Sequence, residues 1–88
     1  MIYKVEFTKD AVKDLKKLDK QIPLFIMAWV RKNLEGCSNP REHGKGLVAN
    51  RSGQWRYRVG TCHLIAEIQE ERVVILLLGI GHLRDVYE

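Results

Sequence analysis

Two arginines, Arg56 and Arg58, alternate with apolar residues in the sequence WRYRV at residues 55–59. A strand places successive side chains on opposite faces of a sheet, so we expect both arginines to project from one face. Each guanidinium group offers a planar fork of donors that suits a phosphate and stabilises charge developing on its oxygens. The segment therefore predicts a phosphate-binding surface.

Proton transfer needs other groups, because arginine stays protonated at neutral pH. The conventional acid–base candidates near this segment are His63 and His82. A short turn after residue 59 would bring His63 beside Arg58 if the strand register permits, and His82 with Arg84 and Tyr87 would complete the patch. A metal-independent ribonuclease needs only a base, a cation and an acid, since RNA supplies its own 2′-hydroxyl nucleophile.

Each of these residues also has a structural interpretation. Arg56 and Arg58 can form the solvated face of a sheet, His63 can be an ordinary surface histidine, and Tyr87 can pack its ring against the sheet. Acidic residues are scattered along the chain, so we expect no metal site and no other cofactor. Patterns alone predict a basic domain that binds nucleic acid.

The charge distribution supports that prediction. The 88-residue chain has a formal net charge of +4, which favours a polyanionic or acidic partner. Residues 41–63 contain one acid, Glu42, and we expect Lys45 and Arg51 in this stretch to bind RNA. Its basic residues are Arg41, Lys45, Arg51, Arg56 and Arg58.

Length and composition favour one domain over residues 1–88 with one core. Cys37 and Cys62 are too few for a disulfide framework, so both are expected to be reduced thiols. Residues 1–7 alternate in polarity and do not resemble a signal peptide. Residues 73–80 form the best apolar run, which is too short to cross a membrane, so we expect a cytoplasmic protein.

Hydrophobic periodicity predicts the elements that position these residues. A first strand at 2–7 precedes two amphipathic helices, the first capped by Thr8 and the second with Pro23 in its first turn. Strand patterns follow at 54–59, 62–69 and 73–79, and the uniformly apolar last run suits a central strand. We therefore expect an α+β fold in which a helical hairpin packs on one sheet containing a three-stranded antiparallel meander.

Two regions leave their placement open. The face of the second helix that holds Phe25 and Trp29 is expected to join the core, with a partner-binding surface as the alternative. Residues 37–53 are predicted as a loop, part of which could join the edge of the sheet. Beyond the last strand, the sequence GIGHLRDVYE is expected to leave the sheet through its two glycines.

Taken together, the sequences WRYRVG, VVILLL and GHLRDVY resemble those of the RelE/ParE superfamily of bacterial toxins, and the resemblance covers nearly the whole chain. The stretch REHGKGLVANRSGQWRYRVG is similar to the RelE branch. This resemblance implies a ribosome-dependent endoribonuclease that cuts messenger RNA in the ribosomal A site, leaves a 2′,3′-cyclic phosphate, and is silenced by a RelB-like antitoxin.

The resemblance also assigns roles by position. Arg56 and Arg58 match two basic residues on the family's second strand. Arg84 and Tyr87 match a C-terminal basic residue and a tyrosine that orients the substrate, and His82 matches the histidine of the frequent sequence GHRRDVY.

Two departures from the family pattern predict weakened or lost activity. Cys62 and His63 stand where the family has Tyr and Arg, and Leu83 stands where it has Arg. Each change removes a fixed positive charge from the expected phosphate site. His63 would restore the charge at its own position only when protonated. These departures leave an inactive antitoxin-binding module as one alternative. The main alternative is a ParE-like inhibitor of DNA gyrase, which shares the fold.

Overall fold

The computed structural model describes residues 2–47 and 53–82, which form two helices and a five-stranded sheet. The α+β class is confirmed. The elements in chain order are β1 (Lys4–Phe7), α1 (Lys9–Lys16), α2 (Gln21–Asn33), a 3₁₀ turn (Pro40–Glu42), β2 (Lys45–Gly46), β3 (Trp55–Val59), β4 (Cys62–Gln69) and β5 (Val74–His82).

The sheet has the strand order β1-β5-β4-β3-β2. β3, β4 and β5 pair as the expected antiparallel meander, and β1 pairs with β5 in parallel. β5 is therefore internal to the sheet, as its uniformly apolar sequence predicts. The short strand β2 adds to the open side of β3, so part of the predicted loop does join the sheet.

Local chemistry defines both helices. The Thr8 hydroxyl caps α1 by accepting a hydrogen bond from the Ala11 N–H at 3.1 Å. Pro23 lies in the first turn of α2, where its missing N–H leaves no helical hydrogen bond unmade. Apolar residues of both helices cover one face of the sheet and form the core with buried strand residues; examples are Ala11, Ile26, Val30, Leu64 and Leu77.

The two large aromatic residues of α2, Phe25 and Trp29, divide between surface and core. Trp29 packs on the core, with its ring centroid 5.9 Å from that of Tyr57. Phe25 is 57% exposed, so the expectation that it joins the core is wrong. Its ring instead lies close to Gly60 in the β3–β4 turn, and Phe25 comes one helical turn before Trp29 in α2.

β5 also continues further than expected. Gly79 and Gly81 remain in the strand, opposite Ile65 and His63 of β4, and the strand ends at His82. The sequence suggested an exit at these glycines, but the backbone pairing with β4 keeps them in the sheet. Within the described ranges, no helix is long and apolar enough to span a membrane.

Candidate nucleic-acid interface

Cross-strand pairing places four predicted site residues on one face of the sheet. Lys45 of β2 lies opposite Arg56 of β3, and Arg58 lies opposite His63 of β4. Cross-strand partners project from the same face, and Arg56 and Arg58 are two residues apart on one strand. We call Lys45, Arg56, Arg58 and His63 the basic face.

The opposite face of β3 anchors the basic face to the core. Tyr57 is fully buried, and its hydroxyl donates a hydrogen bond to the Pro40 carbonyl at 2.7 Å. The Trp55 indole N–H donates to the His43 carbonyl at 2.6 Å. These bonds hold the segment before β2 against β3, so the strand carrying Lys45 has a fixed position beside Arg56.

Arg58 is the exposed arginine of the basic face, and its Nε lies 3.4 Å from the Gly60 carbonyl oxygen. Lys45 is exposed as well, whereas Arg56 is half-buried. The face therefore presents positive charge to solvent along β2, the edge strand, and β3, its neighbour. A phosphate chain crossing β2 and β3 would meet these cations in succession.

His63 has a different environment from the surface histidine suggested by the sequence. His63 is only 3% exposed, and its Nδ1 atom is buried without a hydrogen-bond partner. Burial lowers the pKa of His63, and the nearby charges of Arg56 and Arg58 lower it further. His63 is therefore neutral at pH 7 and does not replace the positive charge of the arginine that the family pattern leads one to expect.

His82 lies on the other side of the sheet. It pairs with Cys62, which belongs to the core, and its neighbour Gly81 pairs with His63. The side chain of His82 therefore shares the helix-covered face, and its Nδ1 is also buried without a partner. The expectation that His82 completes the basic face is wrong. Three further predicted site residues, Arg51, Arg84 and Tyr87, lie outside the described residues, as does Leu83.

Arg41 belongs to the basic stretch in sequence but not to the basic face. Its guanidinium forms an ion pair with Glu70 at 2.7 Å and lies 5.7 Å from the centroid of the Trp55 ring. This pairing joins residues 29 positions apart, which local sequence patterns do not reveal. In the described part of the chain, no cluster of three or more His, Cys, Asp or Glu residues could hold a metal ion.

Comparisons with known proteins place the chain among small bacterial and archaeal toxins. Residues 5–87 match the family model described as ParE toxin of type II toxin-antitoxin system, parDE. Toxin RelG of Mycobacterium tuberculosis is 31% identical over 87 residues, covering 99% of this chain and 98% of RelG.

Two solved structures illustrate the shared fold. The toxin–antitoxin complex RelBE2 of M. tuberculosis contains a chain that matches with a TM-score of 0.84 and 29% identity, covering 93% of this chain and 92% of that chain. The isolated E. coli RelE toxin matches with a TM-score of 0.69 and 17% identity, covering 91% and 83% of the two chains. At that lower identity the likeness to E. coli RelE concerns the fold alone.

Proposed function

This chain belongs to the RelE/ParE superfamily and is a toxin of the type II toxin–antitoxin class, and from that membership we propose that it is a ribosome-dependent endoribonuclease. Its substrate is messenger RNA in the ribosomal A site. The observation that carries this proposal is the basic face, where Lys45, Arg56 and Arg58 lie on adjacent strands beside a neutral histidine.

The proposed reaction uses the nucleophile within the RNA. The 2′-hydroxyl gives its proton to a base, its oxygen attacks the adjacent phosphorus, and the bond to the 5′-oxygen breaks. The leaving 5′-oxygen takes up a proton from water, so the products carry a 2′,3′-cyclic phosphate and a 5′-hydroxyl. Arg56 and Arg58 bind the phosphate and stabilise the charge that its oxygens gain in the transition state. Lys45 contacts the neighbouring backbone, a role for which a single mobile ammonium group suffices.

Proton transfer is the most demanding step for this site. A neutral imidazole has a lone pair, so His63 has the protonation state of a base for the 2′-hydroxyl proton. Because His63 is buried, a direct role requires that RNA binding opens access to the imidazole. Arg84 and Tyr87 remain proposed substrate contacts, Arg51 remains a proposed RNA contact, and His82 retains a proposed role only by its sequence match.

Dependence on the ribosome suits such a site. Alignment of the RNA by the ribosome would hold the 2′-oxygen, the phosphorus and the leaving oxygen in line, which lowers the barrier without a strong acid or base in the toxin. Free RNA would rarely adopt this arrangement. We therefore propose the ribosome and its bound messenger RNA as partners.

A cognate RelB-like antitoxin is the other proposed partner. The crystal structures of RelBE2 and of an archaeal RelE–RelB pair from Pyrococcus horikoshii are toxin–antitoxin complexes whose toxin chains share this fold. The net charge of +4 favours an acidic partner. Leu24 and Phe25 are 73% and 57% exposed on α2, and an amphipathic antitoxin helix would cover such apolar side chains.

A second candidate is inhibition of DNA gyrase. Two observations favour it: the matching family model is described by the name ParE, and His82 lies apart from the basic face. An inactive module that retains antitoxin binding would be consistent with the same geometry. Both alternatives predict no RNA cleavage.

Two assays run in parallel separate the three candidates. Purified protein is added to translating ribosomes carrying a defined messenger RNA, with ribosome-free RNA as the control, and new 5′ ends are mapped. The same preparation is added to a gyrase supercoiling reaction. We expect cuts within codons only when ribosomes are present and unchanged supercoiling. Blocked supercoiling without cuts would establish gyrase inhibition, and no effect in either assay would favour the inactive module.

A further inference from the structure

β5 contains one residue more than the segment of β4 that it pairs with. Ile65 lies opposite Gly79, but the next residue, Ala66, lies opposite Leu77, so Leu78 has no partner on β4. An inserted residue of this kind is a β-bulge, and it exchanges the faces on which the following side chains lie. Before the bulge, Leu77 points into the core; after it, Ile80 does.

The bulge lies where β5 loses its neighbour on the other side. β1 ends at Phe7, opposite Leu77, and the chain then turns into α1. Side chains of α1 and its cap replace the missing strand: the Thr8 hydroxyl donates to the Leu78 carbonyl at 3.1 Å, and Asp14 Oδ2 accepts from the Ile80 N–H at 2.9 Å. Backbone groups of the bulge thus gain partners that β1 no longer provides.

The position of Asp14 within α1 is unfavourable by itself. Asp14 lies in the last turn of the helix, where the partial negative charge of the helix dipole disfavours an acid. Its carboxylate forms no ion pair within the described residues. The hydrogen bond to the Ile80 N–H accounts for an acid at this place, since bonds to an ionised acceptor are stronger than neutral ones.

A β5 strand without the inserted residue would present different side chains on each face of the sheet. Without the inserted residue, Ile80 would leave the core and His82 would lie on the same face as Arg58 and His63. The bulge therefore decides on which face of the sheet the side chains of Ile80 and His82 lie.

We propose that Asp14, assisted by Thr8, is a positioning residue that fixes the bulge in β5 and thereby the face of the sheet on which His82, a residue of the proposed active site, lies. This inference rests on the proposed function for its effect on cleavage, but its structural part does not. Asp14 acts through the Ile80 amide and does not itself contact RNA.

The test compares Asp14→Ala with Asp14→Asn, whose side-chain oxygen still accepts a hydrogen bond. Asp19→Ala, which removes an exposed acid between the helices, is the control. Amide hydrogen exchange of Ile80 and cross-strand NMR contacts between Cys62 and His82 report the register. We expect Asp14→Ala to speed Ile80 exchange at least tenfold relative to its neighbours in β4. Asp14→Asn, a weaker acceptor, should speed it by a smaller factor, and Asp19→Ala should leave it at the wild-type rate.

Cleavage on ribosomes reports the positioning role. We expect Asp14→Ala to lower the rate at saturating ribosome concentration about tenfold with an unchanged half-saturating concentration, and Asp14→Asn to restore most of it. Unchanged Ile80 exchange and unchanged Cys62–His82 contacts in Asp14→Ala would show that Asp14 does not fix the bulge. A changed register with full cleavage would overturn the positioning role. If the wild-type protein does not cleave RNA, the proposed function is contradicted, but the exchange data still decide whether Asp14 fixes the bulge. If Asp14→Ala does not fold, Thr8→Ala replaces it in both measurements.

Discussion

At the scale of single residues, His63 combines a buried position with an unpartnered nitrogen and two neighbouring arginines. The sequence alone suggested a surface histidine able to gain a proton, because the register that brings it beside Arg58 says nothing about burial. The structure instead gives an imidazole held neutral, with its pKa lowered mainly by burial. This residue therefore couples the stability of the fold to pH.

Whether acid stabilises or destabilises the fold follows from the pKa of His63 in the folded and unfolded chain. An unfolded chain protonates His63 near an ordinary pKa of about 6.5, whereas the folded chain resists protonation until a lower pH. Stability should therefore fall as the pH drops below about 6.5, by up to about 1.4 kcal/mol per pH unit until the folded pKa is reached. Urea unfolding at pH 7.5 and pH 5.5 measures this loss. His63→Gln should show a smaller loss, and equal losses in both proteins would contradict the buried, neutral histidine.

Gly44 is the residue on which the position of Lys45 depends. Its φ is +79°, and a Cβ atom there would overlap the Arg56 carbonyl oxygen and lie 2.8 Å from the Trp55 Nε1. Gly44→Ala should therefore destabilise the fold by at least about 2 kcal/mol, because backbone strain and overlap add.

Gly53→Ala is the matched control for this change. Gly53 has a φ of +92°, but no atom of the described residues lies within 4 Å of the added Cβ position. We expect this variant to cost only about 1 kcal/mol, from backbone strain alone. Thermal unfolding of both variants gives the comparison, and equal losses would mean that the close approach at Gly44 has no effect.

At the scale of elements, the sequence predicted the helices and the meander well because each has a distinct period. Thr8, Pro23 and the alternating run at 55–59 mark their elements by local chemistry. The bulge in β5 could not be predicted from the sequence, since a strand that is apolar throughout does not reveal where one residue is inserted. The error about His82 follows directly, because a single insertion moves its side chain to the other face.

Two-residue β2 illustrates a second limit. Its pairing with β3 depends on hydrogen bonds from Trp55 and Tyr57 to the carbonyls of His43 and Pro40, which are 12 and 17 positions away in sequence. No local pattern predicts such contacts. The sequence identified Lys45 as a basic residue, and the structure supplies its alignment with Arg56.

Thr8 joins α1 to the sheet through one hydroxyl group. It accepts from the Ala11 N–H as the helix cap and donates to the Leu78 carbonyl. Thr8→Ala should lower the free energy of unfolding by about 1 to 2 kcal/mol, because both bonds are lost. Thr8→Ser keeps the hydroxyl and should lose less than half as much in the same urea titration. Similar losses in the two variants would assign the effect to the methyl group instead.

At the scale of the whole molecule, the sheet separates two functions. One face packs on the helices and provides the core, while the basic face presents its cations along β2 and β3. The net charge of +4 alone does not locate the proposed RNA-binding surface, since lysines also occur along α1. A measurement of how RNA binding depends on salt can locate it.

Replacing both arginines with glutamine tests this location. Each phosphate contact on single-stranded RNA contributes about 0.7 to the slope of log affinity against log salt concentration. Arg56→Gln with Arg58→Gln should therefore reduce the slope by about 1.4 in fluorescence anisotropy titrations. Arg72→Gln removes an arginine that pairs with Glu6 away from the basic face and should leave the slope unchanged. An equal reduction by Arg72→Gln would mean that RNA binds without preference for the basic face.

The most direct test of the account is cleavage of ribosome-bound messenger RNA by the wild-type chain, by Arg56→Ala with Arg58→Ala, and by the control Arg72→Ala. Mapping of 5′ ends gives the position and rate of cutting in each case. We expect cuts within codons for the wild type and the control. The double variant should cut at a rate at least about 100-fold lower, since its phosphate contacts are lost. Undiminished cutting by the double variant would show that the basic face is not the site of cleavage.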